Sequence, residues 1–263
     1  ASVQLFHGGL RANRDVSGSE PWSASAHEES GERKAREGSE QDVLAAIDAF
    51  GAAAERCARA GFDAIELHRP HGRLLSQFLS TTYNRREDAW GGSLEKRARP
   101  IREAMRAVRD RAPSLVRAVR LSPEDFGQAK GLDLDETIEV ARWLAEDGME
   151  VLHLSLWRAA NNTAKRPDAH ATRLFRDALG DRVRIVVAGR ILTREDAERQ
   201  LDLGADAVAL GRAAIANHDW PRRVQEGRAL AQEPVIEEHL LAEGLSRAFV
   251  GYMKQWRGFV SAD

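Results

Sequence analysis

The chain has 263 residues, of which 43% are hydrophobic and 30% charged, and its formal net charge at pH 7 is −2. This length and apolar content fit one large α/β domain, so we predict a single domain over residues 1–263. The near-neutral charge gives no electrostatic reason to expect binding of nucleic acid or of an anionic membrane, and no apolar run approaches the roughly 20 residues of a membrane helix. Cys57 is the only cysteine, which excludes an internal disulfide and a cysteine-ligated iron–sulfur cluster and suits a cytoplasmic location.

Segments typical of strands and helices alternate along the chain, which predicts a parallel sheet covered by helices. We expect a strand at 3–6, an exposed polar loop at 17–38, and a helix that begins after Ser39 as its N-cap. A strand at 64–67 is then followed by a long loop and a helix near 94–111. The later strands are predicted at 116–121, 151–156, 184–188 and 207–210. Each is followed by a predicted helix, at 134–146, 172–179, 193–203 and, as a short helix, from Arg212. Further helices are expected after Asp219 and near 237–253.

Two histidines, His68 and His71, come directly after the predicted strand at 64–67. In a barrel built of βα units, the C-terminal ends of the strands carry the active site. Two imidazoles three residues apart can both donate N–H hydrogen bonds to one electronegative atom, such as a carbonyl oxygen. A lone histidine is more often a satisfied core or surface residue, but a pair at a strand end favours a binding site.

Two Gly-Arg pairs, Gly189-Arg190 and Gly211-Arg212, follow consecutive predicted strands. In barrels of this kind the loops after strands seven and eight commonly bind phosphate at a helix N-terminus. Glycine lets the backbone approach an anion, and guanidinium groups bind phosphate oxygens bidentately. Each pair alone equally fits a turn that exposes a surface arginine. Two pairs at consecutive strand ends favour a phosphate site.

The motifs of the chain occur in the order and spacing of a known family. They are Gln4-Leu-Phe-His-Gly-Gly9, Gly61-Phe-Asp63 with Glu66-Leu-His68, the run from Asn84 to Arg97, Val119-Arg-Leu-Ser-Pro123, Gly189-Arg190 and Leu210-Gly-Arg212. On these residues the chain resembles the old yellow enzyme family of FMN-dependent oxidoreductases. The polar run at 84–97 lacks titratable pairs suited to catalysis, so we predict that it ties its loop to the following helix.

The resemblance implies that the chain binds FMN and takes hydride from NADH or NADPH. In family members the arginine that matches Arg120 stabilises negative charge on the N1–O2 edge of the flavin, and the glutamine that matches Gln4 hydrogen-bonds its pyrimidine edge. Gln4 alone fits equally well as a polar residue satisfied inside a barrel mouth. The Gly-Arg pairs would hold the phosphate of FMN. The predicted cofactor-binding residues are therefore Gln4, Arg120, Gly189, Arg190, Gly211 and Arg212.

The resemblance also assigns catalysis and substrate binding to His68 and His71. In family members this pair binds a carbonyl or nitro oxygen, which prepares the β-carbon of a conjugated alkene for hydride from flavin N5. Most members then carry a proton-donating tyrosine where this chain has Arg73, and a guanidinium is a poor proton donor at neutral pH. Arg69 is also unusual for the family. These two arginines either bind a substrate carboxylate or phosphate, with Arg73 as a substrate-binding residue, or point to solvent.

The fold that the resemblance implies is a (β/α)8 TIM barrel, yet only six βα units are predicted here. The first motif, at Gln4, matches the third strand of the family fold, and the chain starts without Met. We therefore expect about the C-terminal six units of an N-terminally incomplete barrel. The absent strands would be missing through truncation or supplied by a second chain. Open strand edges would make the isolated fragment prone to aggregation.

The sequence thus predicts a cytoplasmic FMN-dependent oxidoreductase that passes hydride from NADH or NADPH to an activated alkene, such as an α,β-unsaturated carbonyl compound. We expect a small-molecule substrate and no metal; a homo-oligomer and a two-chain assembly are both left open. One alternative is an oxidative flavoenzyme similar to amine or N-methyl dehydrogenases, because Arg73 replaces the usual proton donor. Another is a non-redox barrel fragment that acts with a second chain.

Overall fold

The computed structural model describes residues 1–28, 34–70, 72–125 and 130–261. Its strands are β1 (Ser2–Leu5), β2 (Trp22–Ser23), β3 (His27–Glu28), β4 (Lys34–Glu37), β5 (Ala64–His68), β6 (Val116–Leu121), β7 (Val151–Ser155), β8 (Arg184–Ala188) and β9 (Ala207–Ala209). Its α-helices are α1 (Arg14–Ser17), α2 (Glu40–Arg59), α3 (Leu74–Leu79), α4 (Leu94–Arg111), α5 (Leu134–Glu146), α6 (Ala171–Leu179), α7 (Arg194–Asp202), α8 (Arg212–Ala216), α9 (Trp220–Gln225), α10 (Glu237–Ala242) and α11 (Arg247–Met253).

The main sheet has six strands in the order β1-β5-β6-β7-β8-β9. Strands β1, β5, β6 and β7 pair in parallel with their neighbours, and a helix follows each strand from β5 onward. Parallel neighbours joined through helices are the repeating unit of a (β/α)8 barrel. The prediction of six consecutive units of such a barrel is confirmed.

The two faces of this sheet differ in chemistry because side chains alternate along each strand. Six aliphatic side chains on one face are fully buried: Ile65, Leu67, Val119, Leu121, Leu152 and Leu154. The register places Leu67 opposite Val119 and Val119 opposite Leu152, so these residues form one apolar layer. Burial of such side chains contributes about 1.5–3 kcal/mol each. Polar side chains occupy the opposite face.

Helix starts agree with their sequence signals. Ser39 and Thr193 each form a complete capping box, with Asp42 and Asp196 respectively. Asp133 accepts hydrogen bonds from the first turn of α5. A cap of this kind is worth about 1 kcal/mol. The predicted bounds of α4 and α5 are confirmed to the residue.

Two polar segments differ from their predictions. Within the expected loop at 17–38, the described residues form β2, β3 and β4, a small sheet in the order β2-β4-β3. Ala24 in this segment is fully buried, in a cluster that includes Phe78 and Trp90. The long loop expected after β5 contains α3, all six residues of which are buried. Both segments owe their structure to packing against distant residues, which local polarity does not report. The predicted helix at 237–253 is two helices, α10 and α11.

The run at 84–97 has the structural role predicted for it. The buried Asn84 donates to two backbone carbonyls, at 2.7 and 2.8 Å. Arg86 and Arg97 are also buried, and each donates to backbone carbonyls and to a carboxylate. The bond from Arg97 to the Gly92 carbonyl joins the loop to the start of α4, and the bonds of Arg86 join the loop to residues 24 and 38.

The described chain forms two compact units. Unit 1 comprises residues 1–155 and 162–186, and unit 2 comprises residues 156–161 and 187–263. Unit 2 has its own apolar cluster, which includes Leu240, Val250 and Phe259. Among the described residues, no helix has the length and apolar character needed to cross a bilayer.

Candidate active site

In unit 1 the polar face of the sheet gathers chemically active side chains from four adjacent strands. The register aligns Gln4 with Glu66, His68 with Arg120, and Arg120 with His153. Aligned residues of neighbouring parallel strands project to the same face. We call this surface the polar sheet face; it consists of Gln4, Glu66, His68, Arg120, His153 and Ser155.

Glu66 is hydrogen-bonded to two other residues of this face. One carboxylate oxygen accepts a hydrogen bond from Gln4 Nε2, and the other lies 2.8 Å from His153 Nδ1. Burial alone would raise the pKa of Glu66, but the hydrogen bond and charge of His153, with Gln4 and Arg120, outweigh burial and lower it. Glu66 is therefore ionised at neutral pH and acts only as an acceptor.

Arg120 projects from β6 beside Glu66. Its Nη2 donates to Ser155 Oγ at 3.0 Å, while its Nε is buried and has no hydrogen-bond partner among the described residues. Burial lowers the pKa of Arg120, and the charge of Glu66 opposes this shift. A buried guanidinium with a donor to spare can bind an electronegative ligand edge, as predicted for this residue.

His68 ends β5 and is buried. Phe6 lies edge-on to it, with ring centroids 6.3 Å apart, and is 62% exposed. Arg73, at the N-cap of α3, places its guanidinium carbon 5.8 Å from the centre of the same Phe6 ring. His68 and Arg73 thus both lie next to one exposed aromatic ring. His71 lies outside the described residues.

Arg69 has neither of the two roles considered for it. Its side chain is 1% exposed, and Nη1 donates to the backbone carbonyl of Ser122 at 3.0 Å. Burial lowers the pKa of Arg69 to about 9, with the charge of Glu136 opposing the shift. The strand alternation explains this position, because Arg69 follows His68 and so projects away from the polar sheet face.

In unit 2 the first Gly-Arg pair follows β8 in a constrained backbone. A Cβ atom on Gly189 would lie 2.6 Å from the carbonyl oxygen of Leu156, so only glycine fits there. Arg190 adopts a φ of 51°, in the left-handed region. Such a conformation costs a non-glycine residue on the order of 1–3 kcal/mol and is concentrated at functional sites.

The second pair opens α8. Arg212 is the first residue of this helix, and a Cβ atom on Gly211 would meet nothing within 4 Å. Arg190 and Arg212 converge on the carboxylate of Glu233, at 3.6 and 3.1 Å. Because α8 has only five residues, the convergent guanidinium groups, and not a helix dipole, are the feature of this loop that suits an anion.

These features fit FMN within each unit. Unit 1 offers a spare buried donor on Arg120 and an amide on Gln4, which suit the polar edge of a flavin ring. Unit 2 offers two convergent arginines and open space beside the Gly211 backbone, which suit a phosphate.

Two functional contacts were missed by the sequence reasoning. The Glu66–His153 pair joins residues 87 positions apart, and Glu233 meets both predicted phosphate arginines. The sequence did contain a signal for Glu66, because Glu66 lies two residues before His68 and so lies on the same face of the strand. It contained no signal that Glu233 contacts the two arginines.

Comparison with known proteins agrees with this architecture. The profile of the NADH:flavin oxidoreductase / NADH oxidase family matches residues 1–231. A probable NADH-dependent flavin oxidoreductase of Bacillus subtilis is 33% identical over 268 residues, covering 95% of this chain and 70% of the relative. An NADH:fumarate oxidoreductase of Klebsiella pneumoniae is 32% identical over 248 residues, covering 88% of this chain but only 26% of the relative.

Among solved structures, the old yellow enzyme homologue from Zymomonas mobilis superposes with a TM-score of 0.76 at 28% identity, covering 90% of this chain and 69% of that one. The family match spans most of the chain, and the fold and the motif residues agree with it. This chain therefore belongs to the NADH:flavin oxidoreductase / NADH oxidase family, the old yellow enzyme family of FMN-dependent enzymes that oxidise NAD(P)H.

Proposed function

We propose that this chain passes hydride equivalents from NADH or NADPH, through bound FMN, to an activated alkene. The observation that carries the proposal is the polar sheet face, which brings Gln4, His68 and Arg120 together on adjacent strands. When bound, FMN accepts hydride from the nicotinamide and donates it to the alkene.

The chain's own residues would hold the cofactor at its two polar ends. Gln4 and Arg120 bind the ring edge, where the buried charge of Arg120 favours negative charge more strongly than it would in water. Arg190 and Arg212 bind the phosphate through charge-assisted hydrogen bonds. Ser155 fixes one arm of the Arg120 guanidinium, and the buried Nε, which has no hydrogen-bond partner among the described residues, would donate to the ligand.

His68, with His71, would bind the oxygen of the acceptor's electron-withdrawing group. Each imidazole donates an N–H hydrogen bond to that oxygen, which draws electron density from the double bond and exposes its β-carbon to hydride. The same hydrogen bonds strengthen as negative charge develops on the oxygen, so they lower the barrier and do more than bind the substrate.

Arg73 supports an acceptor that carries a carboxylate. Its guanidinium lies beside the exposed Phe6 ring, which also contacts His68 of the predicted oxygen site. A guanidinium suits a carboxylate geometrically and is a poor proton source, so the proton for the α-carbon would come from water. One relative is named NADH:fumarate oxidoreductase, and fumarate is an alkene flanked by carboxylates.

A phenol titration of the FMN-loaded protein tests the oxygen site. A phenolate oxygen mimics the charge that develops on the acceptor, so phenols should induce a long-wavelength charge-transfer band. The double variant His68→Ala, His71→Ala should lose this band and keep its flavin content. Retention of the band at the same phenol concentration would contradict the assignment.

A second measurement separates reduction from oxidation. Anaerobic NADH or NADPH should bleach the FMN absorbance, and an unsaturated carboxylic acid should restore it. Bleaching by an amine, with no response to either nicotinamide, would instead support the oxidative alternative.

A further inference from the structure

Glu233 lies between the two arginines predicted to bind phosphate. Its Oε2 is 3.1 Å from Arg212 Nη1 and 3.6 Å from Arg190 Nη2. Its side chain is only 13% exposed, and Oε1 is buried without a hydrogen-bond partner in the part of the chain that the structure describes. A carboxylate therefore occupies the position in which an anionic ligand of these guanidinium groups would place an oxygen.

The backbone on both sides of Glu233 is held in place. Ala231 N–H donates to Asn217 Oδ1 at 2.8 Å, and Val235 N–H donates to the carbonyl of Phe259 at 2.8 Å. Asn217 directly follows α8. The short segment that carries Arg212 therefore also holds, through Asn217, the residues just before Glu233. The carboxylate would thus leave the arginines by rotation of its side chain and not by movement of the segment.

The pairing is incomplete on the side of the carboxylate. A buried oxygen without a donor costs free energy, and each guanidinium group has more donors than this single oxygen uses. A phosphate brings three acceptor oxygens and up to two negative charges to the same arginines. The phosphate would compete with the carboxylate, because two anions in a half-buried position repel each other more strongly than in bulk water.

We propose that the carboxylate of Glu233 competes with the phosphate of the flavin for Arg190 and Arg212. It partly neutralises Arg190 and Arg212 when no phosphate is bound, and its charge weakens the binding of phosphorylated flavin relative to unphosphorylated flavin. The inference rests on the proposed function, since it requires that these arginines bind the FMN phosphate. Glu233 is thus a specificity-determining residue of the cofactor site.

The test compares FMN with riboflavin on the flavin-free full chain, by the quenching of flavin fluorescence. Glu233→Gln keeps the size of the side chain and removes its charge. We expect the Kd for FMN to fall about tenfold, which corresponds to about 1.4 kcal/mol, and the Kd for riboflavin to stay within about twofold. The inhibition constant of inorganic phosphate, corrected for the FMN concentration and its Kd, should also fall about tenfold in this variant. The matched control is Glu237→Gln, since Glu237 is paired with Lys254 at 2.7 Å in the same unit, and both affinities should be unchanged.

Arg212→Ala tests the phosphate site separately from the competition by Glu233. If Arg212→Ala weakens FMN and spares riboflavin, while Glu233→Gln leaves FMN unchanged or weakens it, Glu233 only orients the arginines and the competition is disproved. If Arg212→Ala leaves FMN binding unchanged, the phosphate assignment itself fails and the competition fails with it. Should Glu233→Gln lose riboflavin binding through misfolding, Glu233→Ala is judged by the same two affinities.

Discussion

At the scale of single residues, Glu66 decides which way the Gln4 amide faces. An ionised carboxylate only accepts hydrogen bonds, so the NH2 group of Gln4 must face Glu66, and its carbonyl oxygen must face away. The Gln4 acceptor oxygen therefore faces away from Glu66, an orientation that suits an N–H group on the edge of a flavin ring. The same carboxylate partly compensates the charge of Arg120.

Replacement of Glu66 by Gln should change both properties. The Gln4 amide would no longer be held in one orientation, so FMN binding should weaken. The charge of Arg120 would be less compensated, so the midpoint potential of bound FMN should rise by about 30 mV, equivalent to about 1.4 kcal/mol over two electrons. Redox titration measures the second effect. The control Glu150→Gln, at the exposed start of β7, should leave the potential unchanged; a Glu66→Gln potential equal to the wild type would refute the electrostatic role.

Strand alternation and motif spacing predict which residues of the candidate site share a face of the sheet, but not their contacts. His68, Arg120 and Gln4 lie on one face because each occupies the matching position of a parallel strand. Their partners depend on contacts between distant strands, and no local pattern reports that His153 meets Glu66. Arg69 shows the opposite error, since a charged residue beside a site histidine was expected in solvent or on substrate and is buried.

At the scale of secondary structure, elements with strong end signals were predicted best. Helices α4 and α5 directly follow the N-caps Ser93 and Asp133, whose side chains accept hydrogen bonds from the first turn, and their predicted bounds are confirmed. Helix α3 and strands β2 to β4 have no such signal. Helix α3 and the segment of β2 pack into the cluster of Trp22, Ala24, Leu74, Phe78 and Trp90 with α2. Ala35 of β4 packs with Leu10 and Tyr83 instead, and both clusters are properties of the folded chain.

Asn84 is the residue on which this region most depends. Its Nδ2 donates to the carbonyls of Phe78 and Trp90, and its Oδ1 accepts from Arg86 N–H at 3.1 Å. Asn84→Ala would leave three buried backbone groups without partners, so the free energy of unfolding should fall by about 2–4 kcal/mol. Urea denaturation measures this loss. The exposed neighbour Glu87 provides the control, because Glu87→Ala should change stability by less than about 0.5 kcal/mol; equal effects of the two substitutions would show that the Asn84 bonds are not stabilising.

At the scale of the whole molecule, the six strands of the main sheet followed from the alternation of strand-like and helix-like segments, and the structure confirms six units of the barrel. The division into two compact units did not follow from the sequence, since composition is uniform along the chain and the boundary falls inside β8. A single barrel domain over 1–263 stays a prediction.

Carboxylates lie beside arginines in both units, and these pairs determine how the stability of the fold depends on pH. In unit 1, hydrogen bonds from Arg36 and Ser39 hold the pKa of Asp42 far below its usual range, and in unit 2, Arg228 and Arg223 lower the pKa of Asp219 to about 2. The pKa of Glu66 is also lowered. A carboxylate whose folded pKa lies below its unfolded value stabilises the fold above the unfolded pKa, which is about 3.9 for Asp and about 4.3 for Glu. This stability is lost as the pH falls through the folded values.

The melting temperature should therefore be nearly constant above about pH 5 and fall steeply between about pH 4.5 and about pH 2. Asp42→Asn and Asp219→Asn each remove one of the responsible charges. Each variant should melt at a lower temperature than the wild type at pH 7 and approach it near pH 2, because these carboxyl groups are then protonated in the unfolded wild-type chain and most of their stabilisation is lost. Differential scanning calorimetry across this range measures the convergence. Variants that stay equally far below the wild type at pH 7 and pH 2 would show that the substitutions act through packing, and that these ion pairs do not control acid stability.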